Sequence, residues 1–226
     1  MKKIALITAV ISAAAVLTGC ASGNAYLANR SSTIEMYHIF DIKTSVDTAK
    51  VTKAAADGLA QNTNQIVQNT PLQIGKTVPA TPGRFTIEDM GQKLAGTGMG
   101  SMLQLAQMQN GGVSMKSANC EGAVWTSRAV RSVAGSSNLT LYSCLYKYQA
   151  GYQLDTYAVF QKTEGGLGQF SRDISSSIVG TPEQWVNKTI TDTARAIEIA
   201  TGAKVVHLEG QPELTDQPTG TLVGQK

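Results

Sequence analysis

Between Thr33 and Lys43 the chain alternates with a period of two. Ile34, Met36, His38, Phe40 and Ile42 fall on one side, and Glu35, Tyr37, Ile39, Asp41 and Lys43 on the other. This is the pattern of a half-buried β-strand. The period then lengthens. Ser45 can cap a helix through the Ala-rich run from Val46 to about Asn62, where Val51, Ala55 and Leu59 recur every fourth position and would face a sheet. Gly58 lowers the helix propensity of that run. From Asn69 to Arg84, Pro71, Pro79, Pro82, Gly75 and Gly83 predict a long connection rather than an element. Thr86 with Asp89 suggests the capped start of a helix reaching Leu94.

Three strand-like runs follow Asn119-Cys120-Glu121-Gly122: Ala123 to Val133, Leu139 to Tyr148 and Tyr152 to Lys162. The turns between them are short, which predicts an antiparallel meander. In its middle strand Thr140, Tyr142, Cys144, Tyr146 and Tyr148 share one face, while Leu139, Leu141, Leu145 and Lys147 share the other. Both faces would be covered, or the tyrosine face would be a binding platform. Stacked tyrosines can hold sugars, although cross-strand aromatic packing is the commoner use. After a Gly/Ser-rich connection from Gly165 to Gly180, Thr181-Pro182-Glu183-Gln184 supplies a Thr cap, Pro at the first helical position and Gln at the third. Val186, Ile190, Ala194 and Ile197 line one face of this helix, Gly202 ends it, and Ala203 to Glu209 forms a last strand.

The predicted architecture is one α+β domain over residues 33–210: an antiparallel sheet of about five strands with two main helices packed on one face. The order strand-helix, three strands, helix-strand allows both terminal strands to lie inside the sheet. Residues 211–226, with Pro212, Pro218 and Gly220, form a flexible C-terminal tail.

Residues 1–19 have the three-part build of a secretory signal. Lys2 and Lys3 precede an uncharged run from Ile4 to Leu17, which is shorter than the roughly 20 residues a membrane span requires. The stretch Leu17-Thr18-Gly19-Cys20 resembles the lipobox of bacterial lipoproteins. That resemblance implies removal of residues 1–19, acylation of Cys20 by a diacylglyceryl group and commonly an N-acyl chain, and attachment to the membrane through this anchor. Several acyl chains make such anchoring effectively permanent. Ala21 stands where an Asp would, in many bacteria with two membranes, mark retention at the inner membrane, so the outer membrane is the expected address. Residues 20–32 read as the lipidated N-terminus and a small, polar tether.

Removal of the leader leaves 207 residues, enough for one sizeable core. It also takes two lysines, leaving 17 basic and 16 acidic residues. With no dense Lys/Arg run, nothing argues for nucleic acid as a partner. Of the 3 cysteines, Cys20 goes to the lipid, and Cys120 with Cys144 forms an even pair suited to one disulfide in an oxidising compartment.

The region Phe85 to Met115 is unusual. It holds five of the 7 methionines, and from Leu94 to Met115 there is no charged residue. Soft thioethers select copper(I), but Met99 and Met102 are the only close pair and no His is near, so no metal is expected. A helix whose Met and Leu side chains fill a core or a partner groove fits better. Met99, Met102, Leu103, Leu105 and Met108 are the candidate partner contact. Gly75-Lys76-Thr77 is only the tail of a phosphate-binding loop, because the glycine the pattern requires is Thr70. The two histidines lie in distant strands, and no H-E-x-x-H, G-x-S-x-G or S-x-x-K pattern occurs. Glu35 and Asp41 share a strand face but stand roughly 20 Å apart at about 3.3 Å per residue, too far for paired-carboxylate glycan hydrolysis. No catalytic residue and no cofactor are assigned. The expectation is a non-enzymatic envelope lipoprotein with an accessory or docking role at an envelope complex or the cell wall. The alternatives are a small-ligand or metal-binding module using the Tyr face or the methionines, and a hydrolase with an unrecognised site.

Overall fold

The alternating stretch becomes the strand that the sheet is built around. In the computed structural model, which describes residues 30–63, 65–73, 75, 77–94, 96–102, 116–131, 139–164 and 181–214, β1 (Arg30–Ile42) is hydrogen-bonded on both sides. One neighbour is β7 (Gly151–Glu164), paired along the whole of β1 from Arg30↔Glu164 to Ile42↔Tyr152. The other is β8 (Val205–Gln211). The strand starts three residues before the predicted boundary, because Arg30, Ser31 and Ser32 continue the ladder with β7.

The full sheet has the order β2-β5-β6-β7-β1-β8, with β2 (Ile66–Asn69), β5 (Trp125–Arg131) and β6 (Leu139–Tyr148), and every described neighbouring pair is antiparallel. The α+β class, the meander and the two main helices agree with the sequence. Two details do not. Only one terminal strand lies inside: β8 takes an edge, beyond β1. The sheet also has a sixth strand, β2, within residues 66–69 at the start of the Pro/Gly-rich region; its four residues pair with Thr126–Ala129.

α1 (Thr48–Ala60) and α3 (Pro182–Thr201) cover the face that carries Met36, Phe40 and Ile42. The α1 cap is Asp47, not Ser45; its carboxylate accepts from the Ala49 N–H at 2.8 Å. α3 has the predicted capping box, with Thr181 and Gln184 bonded reciprocally, and Gly202 ends it in the left-handed region. The helices touch where Gly58 meets α3. A Cβ at Gly58 would lie 2.6 Å from the Thr193 Cα, so the propensity that glycine costs is exchanged for a close backbone approach. Val51, Ala55, Leu59, Val186, Ile190, Ala194 and Ile197 then pack with Leu141, Leu145, Leu154 and Phe160 into one core. Leu214 also packs against this core and Gln211 belongs to β8, so the chain beyond residue 210 is not loose from its start. Residues 215–226 of the expected tail lie outside the described residues.

The opposite face is partly covered by a two-stranded sheet, β3 (Thr86–Asp89) with β4 (Lys116–Asn119). The helix expected from a Thr86 cap to Leu94 is therefore corrected: its first four residues form a strand and only Met90–Lys93 is helical. Thr86–Asp89 finds ladder partners, with Asp89 opposite Lys116, and the Asp89 carboxylate instead caps the short α2 (Met90–Lys93) through the Gly91 N–H at 2.8 Å. The chain leading into β3 straps the tyrosine face. Phe85 packs against the Tyr37 and Tyr157 rings, and Gly83 lies so close to the Tyr146 ring that a Cβ there would be 2.7 Å from it.

Candidate functional site

Three arrangements of polar side chains stand out, two on the tyrosine face and one beneath the helices. The first is a groove of about 610 Å³ at the β2 end of the sheet. Its floor comes from alternate positions of β2, β5 and β6: Asn69, Thr126, Arg128 and Tyr142 point the same way because Asn69 pairs with Thr126 and Arg128 with Tyr142. Its wall is Ala118 to Glu121, at the end of β4. Cys120 and Cys144 join wall to floor, with Sγ atoms 1.98 Å apart and Cα atoms 5.5 Å apart. The predicted cysteine pair is thus at disulfide distance, directly beside the groove. The Tyr142 ring stacks on Tyr157 at 6.2 Å, with the planes 25° apart. The tyrosine face is therefore cross-strand packing at Tyr157 and an open lining at Tyr142.

The second arrangement is buried under the strap. Asp155 is fully buried, and its carboxylate accepts from the Phe85 N–H at 3.2 Å and from Gln153 Nε2 at 2.8 Å. Burial raises this carboxyl to about 6, more than those hydrogen bonds and the Arg84 charge lower it. Asp155 is the cross-strand partner of Cys144. The neighbouring Tyr146 hydroxyl is buried without a hydrogen-bond partner, and burial together with the Asp155 charge pushes its pKa up. Further along the face, Glu35 accepts from the Tyr157 hydroxyl at 2.8 Å and pairs with Lys116. Asp41 accepts from Tyr148. Burial and the Asp41 carboxylate raise that phenol to about 12. The two carboxylates of β1 are each committed to a tyrosine, Glu35 near the middle of the strand and Asp41 near its end.

The third arrangement lies on the helix-facing side and joins the two histidines, which are 169 residues apart in sequence. His38 on β1 is fully buried, and its Nδ1 lies 3.2 Å from Nε2 of His207 on β8. The Phe40 ring packs against His207 at 5.0 Å, tilted by 49°. Glycine is required opposite: a Cβ at Gly210 would fall 2.1 Å from His38 Nδ1. Burial, then the neighbouring His207, lowers His38 to about 4; burial also lowers His207. A nitrogen–nitrogen contact of this length needs a donor and an acceptor, so the pair is held by one shared proton between two neutral rings. His38 also belongs to a row that crosses the sheet: Ser127, Ser143, Thr156 and His38 are successive ladder partners. All four are buried, and Ser127 Oγ, Ser143 Oγ and His38 Nε2 have no hydrogen-bond partner. The sequence placed His38 on the apolar face, but no local signal marks His207 as its partner.

Of the candidate contact residues, Met99 is 65% and Met102 75% exposed. They do not fill the domain core. Leu103, Leu105 and Met108 lie outside the described residues, as does Cys20. Among the described residues, no group of three or more His, Cys, Asp or Glu side chains is arranged to hold a metal ion. No protein-family model, curated protein or solved structure matches this chain.

Proposed function

We propose that the protein is a lipid-anchored envelope lipoprotein, held at the outer membrane through Cys20, whose domain docks on a protein partner at that surface without performing catalysis. The observation that carries the docking reading is the exposure of Met99 and Met102. Met90 is 38% and Ile87 48% exposed in the preceding elements. Unbranched, polarizable Met side chains adapt to a partner surface, and exposed large apolar groups are a common mark of contact surfaces. Support for the tether comes from the lipobox and from where the domain begins. β1 starts ten residues after Cys20, so the anchor keeps the domain within roughly 35 Å of the membrane at full extension. Confinement of that kind raises the effective concentration of membrane partners, and modest contacts then suffice.

The test is photo-crosslinking in living cells from positions 99 and 102, in the wild type and in Cys20→Ala. The reading requires one envelope protein recovered from both positions with the wild type, lost when the other methionine is changed to Lys, and lost or strongly reduced without the anchor. Equal recovery with Cys20→Ala would remove the tether from the argument, and no specific adduct at either position would remove the docking surface. Mass spectrometry of the mature N-terminus tests acylation of Cys20 directly.

A second reading, a small-ligand module, is favoured by the groove beside the Cys120–Cys144 bridge, where aromatic, carboxamide and guanidinium groups converge on one concavity.

A further inference from the structure

Arg128 is exposed on β5, and among the described residues its guanidinium takes part in no hydrogen bond, ion pair or ring contact. Other cations on this side of the molecule are used: Lys116 pairs with Glu35, Lys93 with Glu88 and Arg84 with Glu209. Arg128 instead lines the groove beside Tyr142, its cross-strand partner. The Tyr142 hydroxyl is likewise uncommitted. Around them stand two groups that both donate and accept, the Asn69 carboxamide and the Thr126 hydroxyl, and one acceptor, the Oδ1 of Asn119, whose Nδ2 is already given to Glu88 at 2.8 Å.

We propose that this groove binds a carboxylate-bearing sugar, with Arg128 taking the carboxylate and Tyr142 the face or edge of the ring. The inference rests on the small-ligand reading and names its ligand class. A planar guanidinium presents two parallel N–H groups to one carboxylate, which a neutral sugar does not offer. Carboxamides and hydroxyls match the mixed donor and acceptor character of sugar hydroxyls, and a tyrosine ring covers the apolar face of a pyranose. A groove of about 610 Å³ is within the range of small-ligand sites.

The site is also held in shape before any ligand arrives. The Cys120–Cys144 bridge fixes the wall to the floor. Gln73 Nε2 donates to the Ala123 carbonyl at 3.1 Å and ties down the chain that follows Pro71 at the rim. Trp125 Nε1 donates to Gln68 Oε1 at 3.1 Å and fixes the β2 edge. One group opposes an anion. Glu121, exposed in the wall, places a carboxylate beside the groove, and its removal should strengthen binding.

The experiment uses the full chain in detergent micelles, isotope-labelled, and titrates it with N-acetylmuramic acid, glucuronic acid and the neutral N-acetylglucosamine, following backbone amide shifts. Shifts centred on Asn69, Arg128 and Tyr142 are expected with both acid sugars, with affinity for N-acetylglucosamine at least about tenfold weaker. Arg128→Gln should abolish the preference for the acids, Arg128→Lys should restore part of it, and Glu121→Gln should tighten acid binding. Both positions are exposed, so these substitutions remove no buried packing. Preference for N-acetylmuramic acid over glucuronic acid would point to the cell-wall glycan as the source, and the reverse to an acidic surface polysaccharide. Equal binding of acid and neutral sugars at the groove would overturn the carboxylate assignment and leave the ligand module standing. No shift at the groove with any of the three would overturn both.

Discussion

His38 and Asp155 are buried groups whose ionisation opposes the fold from opposite directions. The unfolded chain takes up a proton on a histidine near 6.5, whereas folded His38 waits until about 4. Between those values the unfolded state holds more protons, so stability from this residue is complete above 6.5 and is lost as pH falls towards 4. His207, also lowered, acts in the same sense. Asp155 does the reverse. Its folded carboxyl titrates at about 6 against an ordinary 3.8, so the folded state holds the extra proton and stability is lost as pH rises through that window. Each shift is worth a few kcal/mol at about 1.4 kcal/mol per unit, and the two windows nearly coincide. The opposed contributions of His38 and Asp155 are therefore expected to make the wild type's stability vary less between pH 4 and 6 than that of a variant lacking either one. Urea unfolding at half-unit intervals should show Asp155→Asn gaining stability as pH rises through this range and His38→Asn losing it. Parallel slopes in the two variants would show that the residues are not buried and coupled to folding as described.

At the scale of elements, glycine and packing decide more than propensity. Gly58→Ala improves intrinsic helix propensity by roughly 0.5–1 kcal/mol, yet its methyl would sit 2.6 Å from the Thr193 Cα. Backbone cannot yield as a flexible side chain can, so a net loss of about 1–3 kcal/mol is expected, read as a lower denaturation midpoint. A gain in stability would show that α1 and α3 do not touch there. Gly210→Ala should act on one edge only. Its methyl would displace the His38 ring, and amide hydrogen exchange should rise along β8 while β5 and β6 stay protected.

What could be read from sequence divides along the same line. The period-two pattern of β1, each strand run of the meander and the capping box of α3 are local signals, each contained within a dozen residues or so, and they survive in the fold. β2 was hidden because four residues carry too little alternation to outweigh the prolines that follow. Thr86 and Asp89 have the spacing of a helix cap, but the β4 ladder takes Thr86 and leaves only Asp89 as a cap. The His38–His207 contact, the row through Ser127, Ser143 and Thr156, and the groove at Arg128 depend on which strands are neighbours. That order was not available from local pattern, so the sites were not either.

Across the whole molecule the Cys120–Cys144 bridge is the covalent tie between the two sheets. Cys144 is in the middle of β6, next to the groove and opposite Asp155, while Cys120 directly follows β4. Without the bridge, β4 keeps its ladder with β3 and the ion pair from Lys116 to Glu35, which is partly exposed and worth little. The bridge joins residues 24 apart in sequence and is expected to contribute about 3 kcal/mol by restricting the unfolded chain. Reduction of the wild type should therefore lower its melting temperature by several degrees, while Cys120→Ser/Cys144→Ser starts lower and does not respond to reductant. The consequences should be uneven. The core between α1, α3 and the large sheet contains neither cysteine, so exchange protection there should fall only with global stability. The β3–β4 ribbon and the wall from Ala118 to Glu121 should lose protection first, and the groove should lose ligand affinity under mild reduction before the domain unfolds. Protection that falls uniformly over both sheets would show a single cooperative unit in which the bridge does not control the groove separately.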